Sequence, residues 1–265
     1  MMNRDYITKF DKWFKNIDNK SDKLILTSDI DSLASCYLLN LLFSCEVKGF
    51  YDFSRIYFVD TNDKKGYIGV DLDATKNVRV FGNHVTYFNN ERAISLNKDI
   101  TRFNYTEKFA GSTLISIMSV YDIDINQFTT EQLEVLISID TAFKQYFFNA
   151  NLFKKWYIDI LEYPEFVDIV QGHDKEHFYK IIRKYKLHEQ IYIDNEGYLH
   201  TDIDLKGLSK LFNINLKLPT EQFYKYRELK NVGVDLNKIN SKSLNKKKIF
   251  SSALVRKNFL KMSIV

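Results

Sequence analysis

The chain is poor in the residues that break or staple a fold: 265 residues contain 2 Pro, 9 Gly and 2 Cys. So little Pro and Gly excludes collagen-like and Pro/Gly-rich disordered chains. Two thiols cannot build the disulfide framework of a small secreted domain. Cys36 and Cys45 both lie in or beside one apolar helical stretch, where a small buried hydrophobe is expected. A reducing, cytoplasmic setting follows as the expectation. Long apolar runs are also missing. The longest, Leu33 to Cys45, is interrupted by Ser35, Asn40 and Ser44, short of the roughly 20 residues that span a bilayer. The charged, aromatic opening from Met1 to Lys20 is unlike a secretory leader. No membrane association is expected. There is no Walker loop, dinucleotide fingerprint or Gly-x-Ser-x-Gly elbow.

What is there is an ordinary globular composition, 45% hydrophobic and 27% charged, rich in Phe (21) and Tyr (17). The length allows one or two domains with a core that needs no staples. Net charge is +4 but unevenly placed. Residues 206–265 hold 14 Lys and Arg against 3 Asp and Glu, whereas residues 1–205 hold 24 against 31. A basic C-terminal segment on an acidic body suits a phosphate-rich ligand, since Lys and Arg attract polyanions. A solvated Lys-rich surface accounts for the same numbers.

Apolar spacing predicts an opening helix over residues 5–17, then a strand at Leu24-Ile25-Leu26, a turn, and a helix continuing through Phe43. Short strands are expected at 46–51, 54–59, 66–72 and 78–81. Helices follow at 112–121, 131–139, 141–149 and 152–163, with a long one opened by Pro164 and running through Tyr185. The pattern implies an α/β fold with a mostly parallel sheet and flanking helices over residues 1–188. A small basic α+β domain over 189–265 is expected to have a turn at Asp194–Gly197 and two closing strands, 248–255 and 259–264.

The informative segment is Leu24-Ile25-Leu26-Thr27-Ser28-Asp29-Ile30-Asp31-Ser32. Two Asp residues lie just past a strand's C-terminal end, where open α/β sheets gather ligand-binding groups. Asp29 and Asp31 suit hard divalent cations; they equally suit the N-cap of the next helix. A second strand delivers Asp71 and a third ends in Gly82-Asn83-His84-Val85. Capping does not explain ligand-type groups at three strand ends. Asp60 is an alternative to Asp71. His173 and His177, one helical turn apart, could share a metal, but no Glu follows His173 directly and a solvated helix face is the better reading.

Together these segments resemble the DHH phosphoesterase superfamily, which includes family II pyrophosphatases, oligoribonucleases and cyclic-dinucleotide phosphodiesterases. Asp29-Ile30-Asp31-Ser32-Leu33-Ala34-Ser35 fits the family's D-x-D-[GS]-x-x-S motif, and Asp71 falls where the second motif's Asp is expected. Gly82-Asn83-His84 occupies the place of Asp-His-His, and Ile139-Asp140-Thr141 that of the fourth motif. The likeness covers roughly residues 20–150. Gly82 and Asn83 depart from it, no ligand precedes Asp29, and the family's Gly-Gly-Gly-His loop is absent.

The resemblance implies a hydrolase acting on a phosphodiester or phosphoanhydride with Mn²⁺ or Mg²⁺. Asp29, Asp31, Asp71 and Asp140 would be the metal ligands. Asp31, Asp71 and His84 would be catalytic, with Asp71 bridging two cations and His84 facing a phosphoryl oxygen or the leaving group. Asn83, His84, Arg256 and Lys257 would contact the substrate. That substrate would be a phosphate-containing small molecule, such as a cyclic dinucleotide, or a short single-stranded nucleic acid. The alternative is a relative with a depleted metal shell that binds nucleotide or nucleic acid without hydrolysing it.

Overall fold

The computed structural model describes residues 1–63, 65–239 and 244–265. It is a mixed α/β fold on a seven-stranded sheet. The strands are β1 (Lys23–Leu26), β2 (Val47–Tyr51), β3 (Arg55–Phe58), β4 (Tyr67–Val70), β5 (Val80–Phe81), β6 (Ala93–Ile94) and β9 (Tyr224–Glu228), in the order β6-β5-β4-β1-β2-β3-β9. From β6 to β2 all neighbours are parallel; β3 and β9 run antiparallel at one edge. Two smaller sheets pair β7 (Ile191–Ile193) with β8 (Leu199–Thr201), and β11 (Ile249–Arg256) with β12 (Phe259–Ile264) and β10 (Lys230–Asp235).

The helices are α1 (Arg4–Ile7), α2 (Ile30–Phe43), α3 (Thr113–Val120), α4 (Thr130–Ser138), α5 (Lys144–Phe148), α6 (Ala150–Lys154), α7 (Glu165–Gln171), α8 (Lys175–Tyr185) and α9 (Leu205–Phe212). Side-chain alternation along the strands divides the core. Leu24, Leu26, Phe50, Ile68, Val70 and Phe81 share one cluster with the buried side chains of α2, α3, α4, α7 and α8, while Ile25, Tyr51, Phe58 and Val80 form a second on the opposite face. Each fully buried Leu or Phe contributes about 1.5–3 kcal/mol. On the second face Phe250 of β11 packs against the cluster, and the Tyr51 hydroxyl donates to Ser263 Oγ and shares a hydrogen bond with Ser251 Oγ, each at 2.6 Å.

Several expected boundaries change. The opening helix is only α1, followed by a separate 3-10 turn at Lys12–Lys15 that Asp11 caps. The helix expected through Tyr185 is two, because the chain turns at Gly172 and Asp174 starts α8 by accepting from the His177 N–H at 2.9 Å. The helix over 152–163 begins as α6 and continues as a π-helix, Lys155–Ile160. The C-terminal segment reaches back into the body: β9 supplies an edge strand of the large sheet, and Thr75 N–H donates to Phe250 O at 2.9 Å. No helix among the described residues is long and apolar enough to cross a membrane.

Candidate metal centre at the carboxyl ends of β1 and β4

Asp29 and Asp31 follow β1 at the start of α2. Asp29 is the N-cap, its Oδ1 accepting from Ser32 N–H at 3.0 Å, so the capping role is real. Asp31, wholly buried, points away from its own helix: Oδ2 accepts from Thr113 N–H at 2.7 Å and Oδ1 from Leu114 N–H at 2.8 Å, both in the first turn of α3. Ser32 completes the stitch, accepting from Thr27 N–H and donating to Val70 O, each at 2.8 Å, which fixes the end of β1 beside the end of β4.

Asp71 leaves β4 with φ +55°, and its Oδ1 accepts from Thr113 Oγ1 at 2.7 Å. Asp140 and Thr141, just past α4, also have positive φ, 54° and 53°. Left-handed backbone is tolerated by Asp but costs a β-branched Thr of the order of 1–3 kcal/mol, and such strain clusters at functional sites.

The outcome is convergence. Carboxylate oxygens of Asp31, Asp71 and Asp140, contributed by three separate segments, lie within 4.8 Å of one another. Among the described residues none of the four aspartates is paired with Lys or Arg. Burial, with repulsion from Asp140, raises the Asp29 carboxyl to about 6. Burial and the neighbouring carboxylates push Asp31 and Asp71 well above the usual range. An oxygen-rich, anionic cluster in which Asp31 and Asp71 are buried and Asp140 opens to solvent suits a hard divalent cation.

Asn83, at the end of β5, donates through Nδ2 to Gly111 O at 2.8 Å and to Asp140 Oδ2 at 3.0 Å. It holds a carboxylate in place. His84 Nδ1 lies 2.8 Å from Asp73 Oδ2. Burial works against its charged form, but Asp73, with Asp71 and Asp140 behind it, lifts the imidazolium to about 10. Gly82 makes that pairing possible: a Cβ there would stand 2.9 Å from Asp73 Oδ1.

A cavity of about 580 Å³ opens over the cluster. Asp29, Asp71, Asp73, His84 and Asp140 form one wall; the other comes from β10, β11 and β12 and includes Ser251, Phe259 and Lys261. Arg256 and Lys257 do not line it. They sit exposed where β11 ends and its turn into β12 begins, and Lys261 is the Lys or Arg among the described residues that lines the cavity. Asp60 lies in a surface turn, apart from the cluster.

Asn97 and Thr113 support the cluster with little local signal in the sequence. Asn97 binds Phe109 at both ends of its amide, each contact 2.8 Å, and donates to Asn83 O, bracing the loop that carries Asn83. Gly111-Ser112-Thr113 at a helix start was the available signal for Thr113; nothing local marks Asn97. Comparison with protein-family models, curated proteins and solved structures finds no match to this chain.

Proposed function

We propose that this chain is a DHH-like, metal-dependent phosphoesterase, cleaving a phosphodiester or phosphoanhydride of a short oligonucleotide, cyclic dinucleotide or similar phosphate ester in the cytoplasm. The observation that carries the reading is the convergence of Asp31, Asp71 and Asp140 within 4.8 Å, with no Lys or Arg paired to them among the described residues. Two buried carboxylates, Asp31 and Asp71, held against a third with no Lys or Arg between them are costly unless a further cation joins them. Asp31, Asp71 and Asp140, with Asp29 beside them, would hold Mn²⁺ or Mg²⁺. Such ions neutralise charge on a phosphoryl group and make water a better nucleophile.

The chain's own residues supply the rest. Thr113 and the first N–H groups of α3 hold Asp31 and Asp71 in register. Asn83 holds Asp140. His84, charged at neutral pH and facing the cavity with Asp73 beside its ring, would bind a phosphoryl oxygen or give a proton to the leaving oxygen. Lys261 offers a second cation from the opposite wall, and Phe259 a flat apolar face for a base.

The test is turnover of a panel of dinucleotides, cyclic dinucleotides and pyrophosphate with Mn²⁺ or Mg²⁺. Metal-dependent hydrolysis that Asp71→Asn and Asp31→Asn each reduce by at least about 100-fold is expected, the scale on which loss of one transition-state contact is felt. Hydrolysis indifferent to both substitutions overturns the assignment. A second reading, nucleotide binding without turnover, draws on Asn83, which spends its amide on Asp140 where the family has a metal-binding His. Saturable binding with no product after prolonged incubation would select it.

A further inference from the structure

Glu134 is a charged residue that the proposed chemistry leaves unused, yet only 8% of it is exposed. It sits on α4 against α8 and the α7–α8 turn. Its Oε1 is 3.1 Å from His173 Nε2 and 2.9 Å from His177 Nε2. No Lys or Arg is paired with it among the described residues. The two imidazoles stack face to face, 3.8 Å apart and 8° from parallel. His177 Nε2 is shut off from water and makes no hydrogen bond, although Glu134 Oε1 lies 2.9 Å away. Two imidazole nitrogens and one buried carboxylate oxygen therefore converge on one point with a ring nitrogen left unsatisfied.

We propose that Glu134, His173 and His177 form a second metal site, separate from the carboxylate cluster, that takes a borderline divalent ion of the Zn²⁺, Co²⁺ or Ni²⁺ kind and clips α4 to the turn between α7 and α8. Imidazole nitrogen selects these ions over Mg²⁺ or Ca²⁺. With metal–ligand bonds of about 2.0–2.2 Å, tetrahedral neighbours stand roughly 3.3 Å apart, a few tenths of an ångström wider than the contacts here. Loading requires the two rings to rotate out of their parallel stack, because the ion must lie near the plane of each imidazole. Both histidines are about one-third exposed, His173 35% and His177 33%, so rotation of the rings out of their stack opens the buried nitrogen to an ion from solvent. His173 stands in the α7–α8 turn and His177 in the first turn of α8, and α4 brings the carboxylate from across the contact. The site shares no residue with the phosphoesterase reading and does not depend on it.

The experiment titrates Co²⁺ alone into the full-length chain, reading visible ligand-field absorption, and repeats it for Asp71→Asn, His173→Gln and His177→Gln. Zn²⁺ melts are run in parallel. The expected result is that Asp71→Asn, with the carboxylate cluster disabled, still develops Co²⁺ ligand-field absorption and still shows an upward Zn²⁺ shift in Tm, and the histidine substitutions are made in that background. Each histidine variant should bind at least about tenfold more weakly, the least that a metal site loses when even a supporting partner is removed. Both histidines are partly exposed, so two independent variants report. The proposal is overturned by absence of Co²⁺ uptake, by uptake unchanged in both histidine variants, or by uptake lost in Asp71→Asn alone, which would place the ion among the aspartates.

Discussion

The two ends of the central sheet treat buried carboxylates in opposite ways. At the amino end of β1, Asp22 is 4% exposed and meets Arg79, ahead of β5, in a two-pronged pair: Nη1 to Oδ2 at 2.9 Å and Nη2 to Oδ1 at 2.6 Å. Burial alone would raise the Asp22 carboxyl, but the guanidinium and an N–H from Asp18 outweigh it and hold the pKa below the usual range. At the carboxyl end of the next strand, Asp71 is 5% exposed and is paired with no Lys or Arg among the described residues; a Thr hydroxyl binds it, and the nearby His84 only partly offsets burial and the other carboxylates. Equal burial with opposite partnering separates a group that supports the fold from one held at the fold's expense. The sheet's amino end is neutralised internally, and its carboxyl end leaves negative charge for something that comes from outside.

Three substitutions test that contrast. The largest effect is expected for Arg79→Ala, which strands Asp22 as an unpaired buried charge and should cost about 3–5 kcal/mol in urea unfolding. The depressed Asp22 pKa means this stability is present above the ordinary carboxylate range and is lost as pH falls through the folded-state value. Wild type and Arg79→Ala should therefore converge in acid, and a gap that persists there would show that lost packing on Trp13, whose ring lies 5.8 Å from the guanidinium, is the cause. Asp71→Asn should act in the opposite direction, raising metal-free stability by about 0.5–2 kcal/mol in thermal melts. It removes like-charge repulsion at a φ of +55° that Asn accepts readily. A destabilised Asp71→Asn would mean that the carboxylates are already neutralised. The smallest effect is expected for Lys184→Ala. Its pair with Glu131, at 2.6 Å, is about half exposed on both sides, and exposed pairs are worth under about 1 kcal/mol. A loss comparable to Arg79→Ala would show that pairing, and not burial, sets the scale.

The sheet's center was legible because its signals are local. β1, β2, β3 and β4 come from short apolar runs, and helix α2 from Asp29 and Ser32 at its start. The hairpin between β2 and β3 was less visible, since Phe53 rather than Gly takes the positive φ of 68° at its turn. The break between α7 and α8 lies in Gln171-Gly172-His173-Asp174-Lys175-Glu176-His177, whose polar run suits an exposed helix face as well as a turn, although Gly172 and Asp174 are the end and cap signals. Of the candidate site, each aspartate was identifiable from its strand or helix end, but Asn83's grip on Asp140 and the exclusion of Arg256 and Lys257 from the cavity were not. Those depend on where β5 and the β11–β12 turn sit in space.

The sequence by itself determined the strand–turn–helix rhythm and which residues end each strand, because apolar period, capping residues and turn residues act within a few positions of one another. Only the tertiary structure decided which carboxylates meet a cation and which meet one another. Asp22 and Arg79 are separated by 57 residues and Asp31 and Thr113 by 82. Electrostatic energy depends on distance and burial, and neither is set until strands β1, β4 and β5 lie side by side.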